Sequence, residues 1–391
     1  MSRKMLWVNP SFLDYRVPLY KELYDRTGGN FHLLYSRERV PERCRAKIKA
    51  ALGDNAIELE HETQLNLGHN SEFSNSGLSI PFPKGLYSLI KNVNPDVVLA
   101  EGFFQFTPWA VAYTRLHSRP LMIAYERTAH TERNCPAWRR LYRKFIGLFT
   151  RGYVVNGSLT KQYLESQGVK SDRIFTGAMC ADSAGLALGV ASIDAEERAK
   201  LRHEYFNDIS DKGIAYIAVG QMIDRKGVRE LLAGWAKHVS QHPDDRLLFV
   251  GDGPLLEQVK AEQVANPSVI FAGGVDYSQI YKYYAASDVF VIATLEDNWS
   301  LVVPEAMACS LPVACSVYNG CHPELVRPGE NGVTFDPLSP ESVADALGWF
   351  HGKDLSSLGA RSVEIERAYN PEVTAANILN AINTLCIQEQ K

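Results

Sequence analysis

Residues 289–314 read VFVIATLEDNWSLVVPEAMACSLPVA, and the fold is decided there. Val289–Ala293 is a short, wholly apolar run rich in β-branched residues, as in strands buried on both faces. An acidic loop with Glu296 and Asp297 follows. A helix starts near Val302, with Pro304 in its first turn, where a missing N–H costs little. Pro312–Ala314 then begins another strand. Strand, loop, helix and strand within so short a stretch predict a parallel βαβ unit.

The alternation continues in both directions. Ile214–Val219, Arg246–Val250 and Val269–Ala272 read as strands. Val228–Val239, Leu255–Gln263 and Ser278–Ala286 read as the helices between them. Upstream, Met5–Val8, Phe31–Tyr35, Asp96–Ala100, Leu121–Ala124 and Tyr153–Val155 are further short apolar runs. Helices are expected at Leu19–Tyr24 and at Thr160–Gln167, the latter stopped by Gly168. A chain of 391 residues predicts two domains at ~100–200 residues each. We place them at 1–185 and 195–370, joined by the small, weakly patterned Ala181–Ile193. A final helix within 371–391 lies beyond the second sheet and is free to pack back on the first domain.

Charge is uneven. Residues 1–190 carry 25 Lys and Arg against 17 Asp and Glu, and residues 191–391 carry 16 against 28. Such asymmetry suggests two units with different partners. Nothing resembles a nucleic-acid-binding motif, so no nucleic acid is expected. The seven cysteines include no Cys-x-x-Cys pair, which argues against a disulfide framework and for a reducing compartment. The first apolar run ends at Asn9, too short for a signal peptide, and no run approaches the ~20 residues of a membrane span. A cytoplasmic protein is expected. One segment qualifies this. Pro136–Phe149 mixes Trp138, Leu141, Tyr142, Phe145, Leu148 and Phe149 with Arg139, Arg140, Arg143 and Lys144 at helical spacing. Such a helix can lie on an anionic membrane, here the inner face. It can equally bury its aromatic face and leave its charges in water.

Four motifs sit at turns from strand to helix, where open α/β sheets bind ligands. The first is Gly220 to Gly227, in which Arg225 and Lys226 can meet a phosphate. The second is Gly251-Asp252-Gly253-Pro254, whose glycines permit close approach of a ligand to backbone. It is not the dinucleotide fingerprint, which disfavours a nicotinamide or flavin. The third holds Asp297 and Glu305, eight positions apart, facing a helix start whose free N–H groups suit a diphosphate. Carboxylates suit sugar and ribose hydroxyls because each oxygen accepts hydrogen bonds. The fourth is Asn319-Gly320-Cys321-His322-Pro323-Glu324. Each also has a structural reading, as a solvated turn, a tight turn or acids complementing a helix dipole.

Taken together, from Ala215 to Pro337, these motifs resemble glycosyltransferase family 4, retaining enzymes of the GT-B fold. The resemblance implies two Rossmann-like α/β domains with parallel sheets facing across a cleft. The first would bind acceptor and the second a nucleotide-sugar such as a UDP- or GDP-sugar. It implies that Glu305 binds the donor ribose and Asp297 the donor sugar. Backbone near Ser300, Leu301 and Val302 would hold sugar and phosphates, with Lys226 on the diphosphate. Gly251 and Gly253 would lie near the nucleotide, and Gly274 and Val275 near its base. Two departures stand out. Gln221 replaces the usual Arg, which shifts diphosphate neutralisation onto Lys226 and Arg225. The first acid is Asp where Glu is usual, and a one-residue shift would put Glu296 at the sugar. In the first half, Tyr15-Arg16-Val17-Pro18 matches the family's Tyr-Arg-x-Pro, which implies Ser11, Tyr15 and Arg16 on the acceptor side. By strand register Glu126 takes the place of a polar residue facing the reaction centre, with His130 four residues later.

The expected reaction is retaining glycosyl transfer without cofactor or metal, since no Asp-x-Asp cluster follows a strand. Catalytic candidates are Glu126, His130, Asp297 and Lys226. The acceptor would be a sugar or lipid-linked glycan, as in polysaccharide or lipopolysaccharide assembly. Alternatives are a nucleotide-sugar epimerase, a phosphorylase on the same fold, or a non-catalytic sugar-nucleotide-binding protein.

Overall fold

The computed structural model describes residues 3–11, 14–67, 72–75, 77–207 and 209–387. The chain divides into two α/β units, Met1–Asp182 with Asn370–Lys391, and Ser183–Tyr369.

In the first unit, β1 (Met5–Val8), β2 (Phe31–Ser36) and β3 (Ala56–Leu59) form one side of a sheet. A separate antiparallel pair, β4 (Glu62–Leu67) and β5 (Leu78–Pro83), interrupts the series. Then come β6 (Val97–Glu101), β7 (Leu121–Tyr125), β8 (Gly152–Val155) and β9 (Ile174–Phe175). The large sheet runs β3-β2-β1-β6-β7-β8-β9 and its pairs are all parallel. The β4–β5 pair escapes the sequence reading because Leu65, Ile80 and Phe82 are exposed, so no buried run marks it. The helix Pro371–Ile387 belongs to this unit. Its Ala375, Ile378, Ala381, Ile382 and Leu385 share a core with Leu19, Tyr20 and Leu23.

The second unit holds β10 (Ala215–Val219), β11 (Arg246–Val250), β12 (Val269–Gly273), β13 (Val289–Ile292), β14 (Val313–Ser316) and β15 (Gly332–Phe335). Their order is β12-β11-β10-β13-β14-β15, the doubly wound arrangement of dinucleotide-binding folds. In both sheets the strand order reverses beside the first strand of the unit, between β1 and β6 and between β10 and β13. Ligands of such sheets bind outside the carboxyl ends of the strands at that reversal.

Two expectations are corrected. The linker predicted over Ala181–Ile193 is largely a helix, Ala184–Ala191. Its small residues have no amphipathic pattern, but a Cβ on Gly189 would lie 2.6 Å from the Tyr281 ring, so tight packing holds it. The basic-aromatic helix, Ala137–Gly147, is inverted relative to the reading in which its aromatic face is buried. Arg139, Arg143 and Ile146 are buried, while Leu141, Phe145 and Trp138 are exposed. Arg143 tolerates burial because both its terminal nitrogens donate to Glu132 and its guanidinium lies over the Phe104 and Tyr125 rings. Tyr142 turns partly inward and stacks on Phe104 at 4.7 Å.

Candidate functional site

At the reversal in the second sheet, the loops after β10 and β13 are tied together. Leu295 N–H and Thr294 Oγ1 both donate to the Arg225 carbonyl, at 2.9 and 3.0 Å. The Arg225 guanidinium donates to the Glu296 carbonyl at 2.7 Å. Lys226 Nζ donates to Asp297 Oδ2 at 2.7 Å, with Arg225 Nη1 at 3.5 Å from the same oxygen. Burial alone would raise the Asp297 carboxyl, but Lys226 and then Arg225 reverse this and hold it below its ordinary value. Two cations therefore share the Asp297 carboxylate. Glu296 is 3% exposed, and the carboxylate that meets Lys226 is that of Asp297. Gln221 is exposed and makes no side-chain hydrogen bond among the described residues.

The fourth motif shapes the third. Asp297 and Asn319 form a parallel bridge, Gly320 N–H donates to the Asp297 carbonyl at 2.9 Å, and Ser300 N–H donates to Asn319 Oδ1 at 3.3 Å. Asn319 is fully buried, a structural role that its place in a glycine-bearing loop only hints at. Beyond this loop, Val302–Ala308 is a seven-residue helix. Among the described residues the N–H groups of Leu301 and Val302 meet no acceptor, as expected of a helix start. The indole N–H of Trp299 is also buried without a partner. Such donors in a native loop call for a ligand or water.

Glu305 is 9% exposed and accepts from the Tyr277 hydroxyl at 3.0 Å. Tyr277 lies on the turn after β12, close in sequence to Gly274 and Val275, and no motif marked it. Gly251 and Gly253 also have a role within the fold. Their φ values are +147° and +156°, and a Cβ would fall 1.9 Å from the Gly220 carbonyl oxygen and 2.5 Å from that of Met222. These glycines let two neighbouring βα turns pack backbone on backbone.

In the first unit, Arg16 is 4% exposed and bonds Glu101 bidentately at 2.7 and 3.1 Å, while the Trp7 indole N–H donates to the same carboxylate at 3.1 Å. This clasp bridges β1, β6 and the first βα loop at the reversal, and Glu101 was not singled out from sequence. Arg16 is therefore engaged within the fold, and Ser11 and Tyr15, both partly exposed, are the more accessible of the expected acceptor-side residues. Burial raises the Tyr15 hydroxyl, Arg16 opposes this, and Glu126 and Glu101 add to the rise. The influence of Glu126 brings it into the neighbourhood of Tyr15. Glu126 follows β7 and is partly exposed, as is His130, whose turn is braced by reciprocal Thr128 and Thr131 hydrogen bonds.

Residues 214–351 match the family of glycosyl transferases group 1. Among curated relatives, an uncharacterized glycosyltransferase of Methanocaldococcus jannaschii is 28% identical over 44% of this chain and 43% of its own length. The sulfoquinovosyl transferase of Arabidopsis thaliana is 26% identical over 69% of this chain and 52% of its own. A GDP-mannose-dependent phosphatidylinositol monomannoside mannosyltransferase of Mycolicibacterium smegmatis is 27% identical over 40% and 42%. The match thus spans about half the length of these relatives. Solved structures align over nearly the whole chain. A glycosyltransferase from Rickettsia africae gives a TM-score of 0.72 at 16% identity, covering 98% of both chains. The Anabaena protein HepE in complex with UDP gives 0.72 at 13%, covering 97% of this chain and 100% of its own. These are GT-B glycosyltransferases, and the likeness shows that fold.

Proposed function

We propose that this chain, which has the GT-B fold, acts as a group 1 glycosyl transferase and moves a sugar from a nucleoside diphosphate donor to an acceptor hydroxyl with retention of configuration. The observation that carries this reading is the Lys226–Asp297–Arg225 cluster at the reversal of the second sheet, with Glu305 on the helix that follows.

Glu305 takes the donor ribose hydroxyls, with the Tyr277 hydroxyl beside it. Asp297, kept ionised by its two cations, accepts from the donor sugar. Lys226 and Arg225 face the diphosphate, helped by the free N–H groups of Leu301 and Val302. As the bond from the anomeric carbon to the phosphate oxygen breaks, negative charge grows on the diphosphate, and preorganised cations stabilise it without reorganisation. The acceptor oxygen forms its new bond on the same face and passes its proton to the departing phosphate. No enzyme nucleophile and no divalent metal take part. On the acceptor side Ser11, Tyr15 and Glu126 are the candidate contacts, with His130 nearby.

A UDP- or GDP-sugar donor is supported by the UDP in HepE and the GDP-mannose of the Mycolicibacterium relative's name. That relative is named for a phosphatidylinositol glycolipid, which supports a lipid-linked acceptor in polysaccharide, lipopolysaccharide or other glycan assembly. No helix of the described residues is long and apolar enough to cross a membrane. The exposed Trp138, Leu141, Phe145 and Leu148, with Arg140 and Lys144 between them, support peripheral contact with an anionic cytoplasmic leaflet.

The test is a donor screen with excess EDTA, following nucleoside diphosphate release and the product anomer by NMR. Turnover with the donor's own anomeric configuration is expected. Inversion, or activity lost to EDTA and restored by magnesium, overturns the mechanism. Glu305→Ala should weaken donor binding at least tenfold in calorimetry, since each hydrogen bond to a charged group is worth about 1.5–3 kcal/mol. Unchanged affinity in the folded variant would remove Glu305 from the ribose.

A further inference from the structure

The first unit contains a cavity of about 320 Å³, within the size range of small-molecule sites and far larger than the ~30 Å³ of a water. It lies between the helix Ala137–Gly147 and the helix Ser158–Ser166, against β7 and β8. Phe103, Tyr125, Tyr153 and Tyr163 line its interior. The Tyr125 hydroxyl is buried and has no hydrogen-bond partner among the described residues, although the residue is 6% exposed. Burial keeps that hydroxyl protonated, so it is a standing donor in a wall made chiefly of aromatic rings, where the one buried cation, Arg143, is already paired with Glu132. At the mouth stand Arg140 and Lys144, both exposed and neither in an ion pair among the described residues. Leu148 is shared between the cavity wall and the exposed apolar ridge of the helix, at 78% exposure. From Gly102 to Thr150 the chain has eight Lys and Arg and only two acidic residues. One of the two, Glu132, is already bound to Arg143.

A largely aromatic slot with one unpartnered buried hydroxyl, rimmed by exposed cations and opening beside an exposed apolar ridge, matches a molecule with a hydrocarbon chain and an anionic head. Phe103 and Tyr125 sit at the carboxyl ends of β6 and β7, the end that also carries Tyr15 and Glu126. We infer that this cavity binds one hydrocarbon chain of a phosphate-headed lipid, with the phosphate between Arg140 and Lys144. This deepens the lipid-linked acceptor reading above and rests on it for the ligand's role, though the binding itself needs no donor.

The experiment measures binding of dodecyl phosphate, below its micelle concentration, to the full chain by calorimetry. Inorganic phosphate and dodecyl maltoside serve as the two comparison ligands. Dodecyl phosphate should bind at least tenfold more tightly than either. Arg140→Glu with Lys144→Glu, both at exposed positions, should lose at least tenfold for dodecyl phosphate and leave dodecyl maltoside unchanged. Val169→Phe, which fills the cavity from a half-buried wall position, should lose binding of both amphiphiles. Val169→Trp is the stronger version where the melting temperature allows it. Equal binding of inorganic phosphate would mean an anion site without a chain pocket. Equal binding of dodecyl maltoside would mean an apolar groove without head recognition. Undiminished binding by the filled variant would place the ligand elsewhere. Each of these results overturns the proposal. Donor turnover is measured separately, so a chain that binds the amphiphile but transfers no sugar refutes the glycosyl-transfer reading and leaves the cavity assignment standing.

Discussion

Lys226 and Asp297 pair at 2.7 Å, and a diphosphate bound at this loop has to share that cation. Gln221, exposed at the start of the same turn, brings no charge. Because phosphate charge grows in the transition state, Lys226 should matter more there than in the ground state. Lys226→Ala is expected to lower the maximal rate by roughly 10²–10³, the cost of one preorganised electrostatic donor. Gln221→Arg should restore part of the loss, and a double-mutant cycle on initial rates measures the coupling. A near-normal rate in Lys226→Ala would transfer the task to Arg225. Absence of any rescue would mean that position 221 does not face the phosphates. The structure adds a complication that sequence did not carry. Removing Lys226 also takes from Asp297 the main force opposing its burial, so its carboxyl should rise toward or above the ordinary carboxylate range.

At the scale of elements, the site depends on turns that pack closer than side chains permit. Gly227 has φ +67°, and a Cβ there would fall 1.9 Å from the Ala293 carbonyl oxygen at the end of β13. Gly227→Ala should therefore destabilise by roughly 2–5 kcal/mol, combining left-handed strain with overpacking. A drop in melting temperature of at least ~5 °C is expected at this unit size. An unchanged melt would mean that the two loops are not held together as described. A second element effect lies in the helix Val228–Gln241 and its cap. His238 and His351 both bond Asp245 Oδ2, at 2.7 and 2.9 Å, and His242 stacks on His351 at 3.7 Å. Burial, then His351 and His238, lower His242 below its ordinary 6.5. With the folded value depressed, the unfolded chain binds the proton first as pH falls. The stability it contributes is complete above 6.5 and is lost as pH drops below that toward the depressed value. Thermal melts should hold level from about pH 8 to 7 and decline from about 6.5 to 5, with a smaller decline in His242→Gln. Identical profiles in the two proteins would show that His242 is not responsible.

For the whole molecule, the chain's return matters most. The helix Pro371–Ile387 closes the core of the unit built from the first 182 residues, placing five buried apolar side chains beside the first helix, Val17–Arg26. At about 1.5–3 kcal/mol for each buried Ile or Leu, its removal approaches the whole 5–15 kcal/mol stability of a typical domain. A chain ending at Tyr369 should lose the cooperative melt of the first unit and keep that of the second. Calorimetry of both chains checks this, and two intact transitions in the shorter one would refute it.

Alternation of short β-branched runs with helical segments was enough to read two parallel α/β units from sequence, because strands buried on both faces are predominantly apolar. The same economy made Lys226, Asp297 and Glu305 visible, since turns at the carboxyl ends of such strands have fixed places in the order of elements. Tyr277 and Glu101 were not legible, and Asn319 was marked only by its place in a glycine-bearing loop. Each acquires its role from a partner tens of residues away or on another turn, and single polar residues in loops have no periodicity to mark them. The direction of the basic-aromatic helix was also beyond sequence. Both faces of Ala137–Gly147 are amphiphilic by composition, and the choice was made by Glu132 and the rings of Phe104 and Tyr125, which make burial of Arg143 cheaper than burial of Leu141 and Phe145. Local pattern determined which segments are strands and helices. Tertiary structure alone decided which charges are neutralised inside and which apolar surface faces outward, because that balance depends on who stands opposite.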